Sequence, residues 1–274
     1  MINILSGILV RIVSNSYINV FQKLLTNFGN KPTVINLYTY FGLMVLSLFL
    51  LPFVSINISN TLLINFLLMG LLGALGNYFI IKALSLGELS SLTPINSYKP
   101  IVAMVIAFLY LKEVPSLSAI AGIMLIIAGT YILYQRGNVS NTAVLYRVLA
   151  LIFSGTEAVF IKKIILLTNI PTSFILWSIS GFIFSLILSG ASKRCLKLHN
   201  IKYLPLLILS VAIMQYSTNY VFSKINVAYA LALFQLSTLL SVFLGINIFH
   251  EKDMKRKLIA SLIMIMGSVI IIFS

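Results

Sequence analysis

The sequence predicts an all-α, polytopic membrane protein whose ten transmembrane helices form two inverted five-helix repeats. Three observations predict this: an apolar composition, apolar runs of membrane-spanning length, and an internal repeat with an odd number of runs in each copy. Of the 274 residues, 60% are hydrophobic and 9% are charged. The mean hydropathy of +1.07 lies far above that of a domain folding in water.

The apolar residues fall into ten runs, near 4–26, 33–54, 61–84, 89–111, 116–135, 143–167, 171–190, 203–223, 228–249 and 257–273. A helix rising ~1.5 Å per residue needs about 20 residues to cross the hydrocarbon, close to the length of each run. Helices are expected because lipid supplies no hydrogen-bond partners, whereas a barrel would need alternation at every second residue. The first run holds Arg11, Asn15, Asn19 and Gln22 and has neither a basic start nor a small-x-small exit. It is therefore expected to be a true helix and not a cleavable signal. The longest connection, about 188–202, is too short to fold alone, which leaves the bilayer interior as the expected seat of function.

The runs then repeat in order. SNSYINVFQK (14–23) aligns with SGTEAVFIKK (154–163), pairing Lys23 with Lys163, and KPTVINLYTYFG (31–42) aligns with IPTSFILWSISG (170–181). NYFIIK (77–82) faces NYVFSK (219–224), and LKEVPSLSAIAGIMLIIAG (111–129) faces FHEKDMKRKLIASLIMIMG (249–267), pairing Glu113 with Glu251 and Gly129 with Gly267. The halves are expected to be residues 1–137 and 138–274. Five spans per half, an odd number, start the second copy on the opposite membrane face, an arrangement used by secondary carriers with a site near the midplane.

The net charge of +14 flanks the helices and needs no nucleic-acid partner to explain it. One face collects Lys23, Lys31, Lys82, Arg136, Arg147 and the basic clusters at 193–202 and 252–257; the other holds Lys112, Lys162, Lys163 and Lys224. Charge counting makes the first face cytoplasmic and puts both termini outside. Cys195, with no second cysteine, is expected to be a free thiol on a basic loop.

YLKEVPSLSAIAGIMLIIAGTYIL and its counterpart IFHEKDMKRKLIASLIMIMGSVII put a Glu at the end of a fourth helix before a Gly- and Ala-rich fifth. This pattern resembles the drug/metabolite transporter superfamily, in its ten-helix EamA-type branch, over essentially the whole chain. The resemblance implies a permease of the cell membrane, most simply a bacterial inner membrane, that exports an amino-acid-like or related amphiphilic metabolite. It also implies termini inside, against the charge count.

The polar residues within the runs are the candidate site, because an ionisable group at the bilayer centre costs about 2.5–3.5 kcal/mol and needs a partner or a wet cavity. Arg11, Asn15, Asn19 and Gln22 recur at i, i+4, i+8 and i+11, which aligns them on one face of the first helix. Asn77 and Tyr78 follow in the third. In PINSYKPIVAM (94–104), Lys99 is the only charge of the fourth run and precedes Pro100, which breaks a backbone bond; Asn96 lies beside it. Glu157, in the sixth, is within about one turn of the same depth. Lys99 and Glu157 are expected to face one cavity, either as a packing salt bridge or as a substrate anchor and proton-responsive couple. Gln215, Tyr216, Asn219 and Tyr220 in the eighth helix and Gln235 in the ninth extend the polar set. Tyr17, aligned with Glu157, is a further candidate. Trp177 is expected to anchor at the membrane interface, Gly70, Gly73 and Gly76 to permit close helix contact, and Glu113 and Glu251 to bond in loops.

No G-x-x-x-x-G-K-[ST] loop and no H-E-x-x-H is present, and Asp253 is the single aspartate, so no ATP-driven pump, metalloenzyme, cofactor or catalytic site is expected. The expected function is secondary transport of a small organic metabolite by alternating access, by a monomer or homodimer in the lipid bilayer. A proton-coupled drug or quaternary-amine antiporter, a lipid-acting enzyme and a non-transporting scaffold stay open as alternatives.

Overall fold

The computed structural model describes residues 2–54, 56, 59–87, 92–133, 140–190, 198–199, 201–237, 239–240 and 254–273. Glu88, Cys195, His250, Glu251 and Asp253 lie outside the described residues. Within them are ten α-helices: α1 Ile2–Asn27, α2 Pro32–Ser47, α3 Asn60–Leu86, α4 Lys99–Leu111, α5 Leu117–Leu133, α6 Asn141–Leu167, α7 Ile170–Ser189, α8 Leu204–Phe222, α9 Val227–Phe234 and α10 Met254–Ile272. Six of these segments are long and apolar enough to cross a membrane: Ile4–Asn27, Pro32–Phe53, Asn60–Leu86, Asn141–Leu167, Ile170–Ser189 and Ile201–Phe222.

The helix starts follow local chemistry. Ser59 and Ser140 cap α3 and α6 by accepting from the N–H of Leu62 and Ala143 at 3.1 and 3.2 Å, and Asn169 caps α7 by accepting from Thr172 at 2.8 Å. Proline opens α2 and stands in the first turn of α7 and α8, where its missing N–H costs nothing. Gly190 ends α7 at φ +69°, a conformation that glycine takes without strain.

Three of the ten runs differ from the continuous α-helices expected, the second because it ends in a 3-10 stretch, Leu48–Phe53. The fourth is a 3-10 stretch, Thr93–Tyr98, that passes into α4 at Lys99. The ninth breaks after α9 in a turn at Gln235. Pro100 therefore does not kink a helix interior. It sits in the first turn of α4, and the irregular backbone lies on its N-terminal side.

Helix pairing keeps its pattern when each helix of the first half is exchanged with its counterpart in the second. α3 packs along α6 as α1 does along α8, and α3 touches α7 as α2 touches α8, while α2–α7, α4–α9 and α5–α10 each pair a helix with its own counterpart. Glycines bring α5 and α10 to backbone contact. A Cβ on Gly122 would lie 2.7 Å from the Gly267 carbonyl, and one on Gly129 would lie 2.9 Å from that of Ala260. Seven residues forward on α5 is thus seven back on α10, so the two run antiparallel. The same holds for α2 and α7, where Asn36 reaches Ser185 and Tyr40 meets Gly181. Leu109, Leu117 and Leu262 are among the large apolar side chains left exposed on the outside, as lipid contact requires.

Candidate functional site

A cavity of about 110 Å³ is lined from both halves, by residues of α1–α4 on one side and α6–α9 on the other. The polar face of α1 forms one wall: Arg11, Asn15, Asn19 and Gln22 all border it. Each of three is fixed by a different helix. Arg11 Nε donates to Thr218 Oγ1 at 2.7 Å, with its guanidinium carbon 4.8 Å from the centre of the Phe234 ring. Asn15 donates to Ser237 Oγ at 2.9 Å. Gln22 donates to Asn77 Oδ1 at 3.1 Å, Asn77 to Asn36, and Asn36 to Ser185 Oγ at 3.0 Å. That amide chain ties α1, α3, α2 and α7 together, and each bond replaces a backbone or water partner that hydrocarbon cannot offer.

Lys99 and Glu157 border the same cavity, but among the described residues they form no direct ion pair. The Glu157 carboxylate is held by Trp177, whose Nε1 donates to Oε1 at 2.6 Å. Trp177 in turn packs at 5.1 Å, ring centre to ring centre, on Tyr40. Trp177 is therefore not an interface anchor; it is buried and lines the cavity. Gly73 faces this group, and a Cβ there would land on Glu157 Oε1, so the small residue makes room for the carboxylate as well as for helix packing.

Asn96 and Gln215 also line the cavity, and six expected members, Tyr17, Tyr78, Tyr216, Asn219, Tyr220 and Gln235, do not. Tyr17 is 44% exposed on the outer side of α1, stacked on Phe21. The reason is angular, since two residues beyond Asn15 is about 200° around a helix, away from the polar face. Asn219 is fully buried behind Gln215, from which its Oδ1 accepts at 2.8 Å. Gln235 turns back on its own helix end, donating to the Leu231 carbonyl at 3.0 Å.

Arg147 is the residue that charge counting hid. Charge counting places it on a flank, yet it is only 3% exposed and lines the cavity, with Nε donating to the Leu92 carbonyl at 3.1 Å. Its place six residues inside α6 was the available signal. Among the described residues, the cavity wall thus carries Arg11, Lys99 and Arg147 against one carboxylate, that of Glu157. Among the described residues no group of three or more His, Cys, Asp or Glu side chains could hold a metal ion.

Apolar spans enclosing a charged cavity define a polytopic, all-helical membrane protein. The sequence profile of the EamA-like transporter family matches it twice, over residues 2–135 and 141–273. The chain belongs to that family, whose members are small-molecule transporters and not enzymes. One solved crystal structure of a protein shares 14% identity, with a TM-score of 0.73 over 97% of this chain and 98% of that one, a likeness of fold. No curated protein sequence matches the chain.

Proposed function

We propose that the protein is a secondary carrier of a small organic metabolite, working by alternating access across the plasma membrane, in a bacterium the inner membrane. Its units are residues 1–137 and 138–274, inverted with respect to each other, and the ten helices all span the bilayer. The antiparallel contacts of α2 with α7 and of α5 with α10 support the inversion, because a helix and its repeat counterpart run antiparallel when one unit enters the membrane from the opposite face.

The observation that carries this reading is the cavity walled by Lys99 from one half and Glu157 from the other. A closed helix bundle with no substrate would gain nothing from ionisable groups held in its interior without a direct ion pair, where each is costly. An amino-acid-like solute exported from the cell would meet Lys99 with its acid group. Three cationic side chains against one acid weigh against a quaternary-amine cargo, which they would repel. Substrate counterflow in proteoliposomes tests the reading. Flux abolished in Lys99→Ala is the expected result, and flux unchanged in both Lys99→Ala and Glu157→Gln would remove the site.

A further inference from the structure

We infer that the solute bound in this cavity is a small organic dianion, a molecule with two acidic groups. The inference rests on the carrier reading for its biological sense, although not for its chemistry. Arg11 and Arg147 are 9% and 3% exposed, and each commits Nε to the protein, to Thr218 and to the Leu92 carbonyl. One terminal nitrogen of each guanidinium, Nη1, is buried without any hydrogen-bond partner. Neither arginine meets a carboxylate in an ion pair among the described residues. Buried guanidinium groups are ordinarily matched by an acid, because desolvation is offset only when donors are paired.

Glu157 does not supply that match. Its Oε1 is occupied by the Trp177 indole, and it is one carboxylate against three cations. Among the described residues the wall therefore has an excess of two positive charges, which a dianion closes and a neutral solute leaves open. Two of the cations are also carried on separated stretches of backbone. The backbone of Lys99 lies against Gly155, and Arg147 is eight residues away on the same helix, about 12 Å along its axis. Arg11 reaches the cavity from α1. Cations that reach one cavity from three different helices suit two acidic groups joined by a short carbon chain better than one inorganic ion.

The chain carries its own reporter, since its single tryptophan is Trp177, on the cavity wall and bonded to Glu157. Purified full-length protein in nanodiscs of phosphatidylcholine, which has no net charge, is titrated with succinate and with glycerol phosphate while Trp177 fluorescence is read. Glycerol, choline and chloride serve as controls. The expected result is a saturable change with at least one dianion and none with the controls, weakened about tenfold or more in Lys99→Gln and in Arg147→Gln. Which dianion responds separates a carboxylate from a phosphate ligand. Lys99 is the safer variant because it forms no direct ion pair among the described residues, whereas Arg147 holds the Leu92 carbonyl. A response to choline, glycerol or chloride without one to either dianion overturns the inference, as does dianion affinity unchanged in both variants. Dianion binding without counterflow would remove the carrier reading and keep the anion site. Counterflow of an uncharged or cationic solute without a dianion response would do the reverse.

Discussion

The carboxylate of Glu157 is the most constrained group in the cavity. It occupies the space that a side chain on Gly73 would take and accepts from Trp177, which leans on Tyr40. Gly73→Ala forces a methyl group onto the carboxylate oxygen, and overpacking of this kind costs roughly 1–3 kcal/mol. The carboxylate is the softer partner and moves first. Counterflow is expected to fall roughly tenfold, the ratio that corresponds to about 1.4 kcal/mol, while the protein still elutes as folded particles. Wild-type flux in Gly73→Ala would show that the glycine serves helix packing alone. Glu157 and Lys99 were legible in the sequence because a charge in an apolar run is conspicuous. Trp177 was not, since tryptophan also marks membrane interfaces and its partner lies on the preceding helix with no spacing rule to connect them. Arg147 was lost for a related reason: near a helix end, sequence does not separate an interface cation from an inward one.

Between elements, the firmest polar link crosses from one half to the other. Glu113, just past the end of α4, pairs with Lys162 of α6 and accepts from the Val227 N–H at 2.9 Å, at the first turn of α9. An acid at a helix N-terminus is favoured by the unpaired N–H groups there. Lys162 also donates to the Ile225 carbonyl at 2.8 Å. On the other face of the bundle Lys23 donates to the carbonyls of Leu84 and Gly87 at 2.7 and 2.8 Å, at the end of α3. The sequence repeat matches Lys23 with Lys163, but in the fold the neighbouring Lys162 has the corresponding role. The side chains of Lys162 and Glu113 are only 11% and 13% exposed, so solvent screens them little. A double-mutant cycle of Glu113→Gln and Lys162→Met, followed by unfolding in mixed micelles, should give a coupling energy of about 0.5–3 kcal/mol. Additive losses would mean that the pair fixes nothing. The sequence located Glu113 at a helix end and expected loop bonding there. Its partners could not be read, because they come from residues 162 and 227 in the other half. The breaks in the fourth and ninth runs were equally hidden, since unbroken hydropathy resembles unbroken helix.

At the scale of the whole molecule, everything turns on whether the halves face opposite ways, and corresponding loop residues can test it directly. Phe28 follows α1 and Leu167 ends α6, the counterpart of α1, and both side chains are 40% exposed. In a parallel repeat they would emerge on the same side of the membrane; in an inverted one they emerge on opposite sides. Each is replaced by cysteine in a chain whose Cys195 has been changed to serine, and intact cells are treated with a maleimide that cannot cross the membrane. One of Phe28→Cys and Leu167→Cys should be labelled at once and the other only after permeabilisation. Labelling of both from the same side would end the inverted arrangement and, with it, a cavity exposed alternately by two opposed units. The same experiment decides the orientation. Counting cations puts the Phe28 face in the cytoplasm, whereas the resemblance to EamA-type carriers puts it outside. The two predictions conflict because the excess on that face comes largely from the clusters at 193–202 and 252–257, and Arg147, once counted with them, belongs to the cavity. Removing it leaves the count tilted the same way, so labelling of Leu167→Cys in intact cells is the outcome charge predicts, and labelling of Phe28→Cys the outcome family likeness predicts.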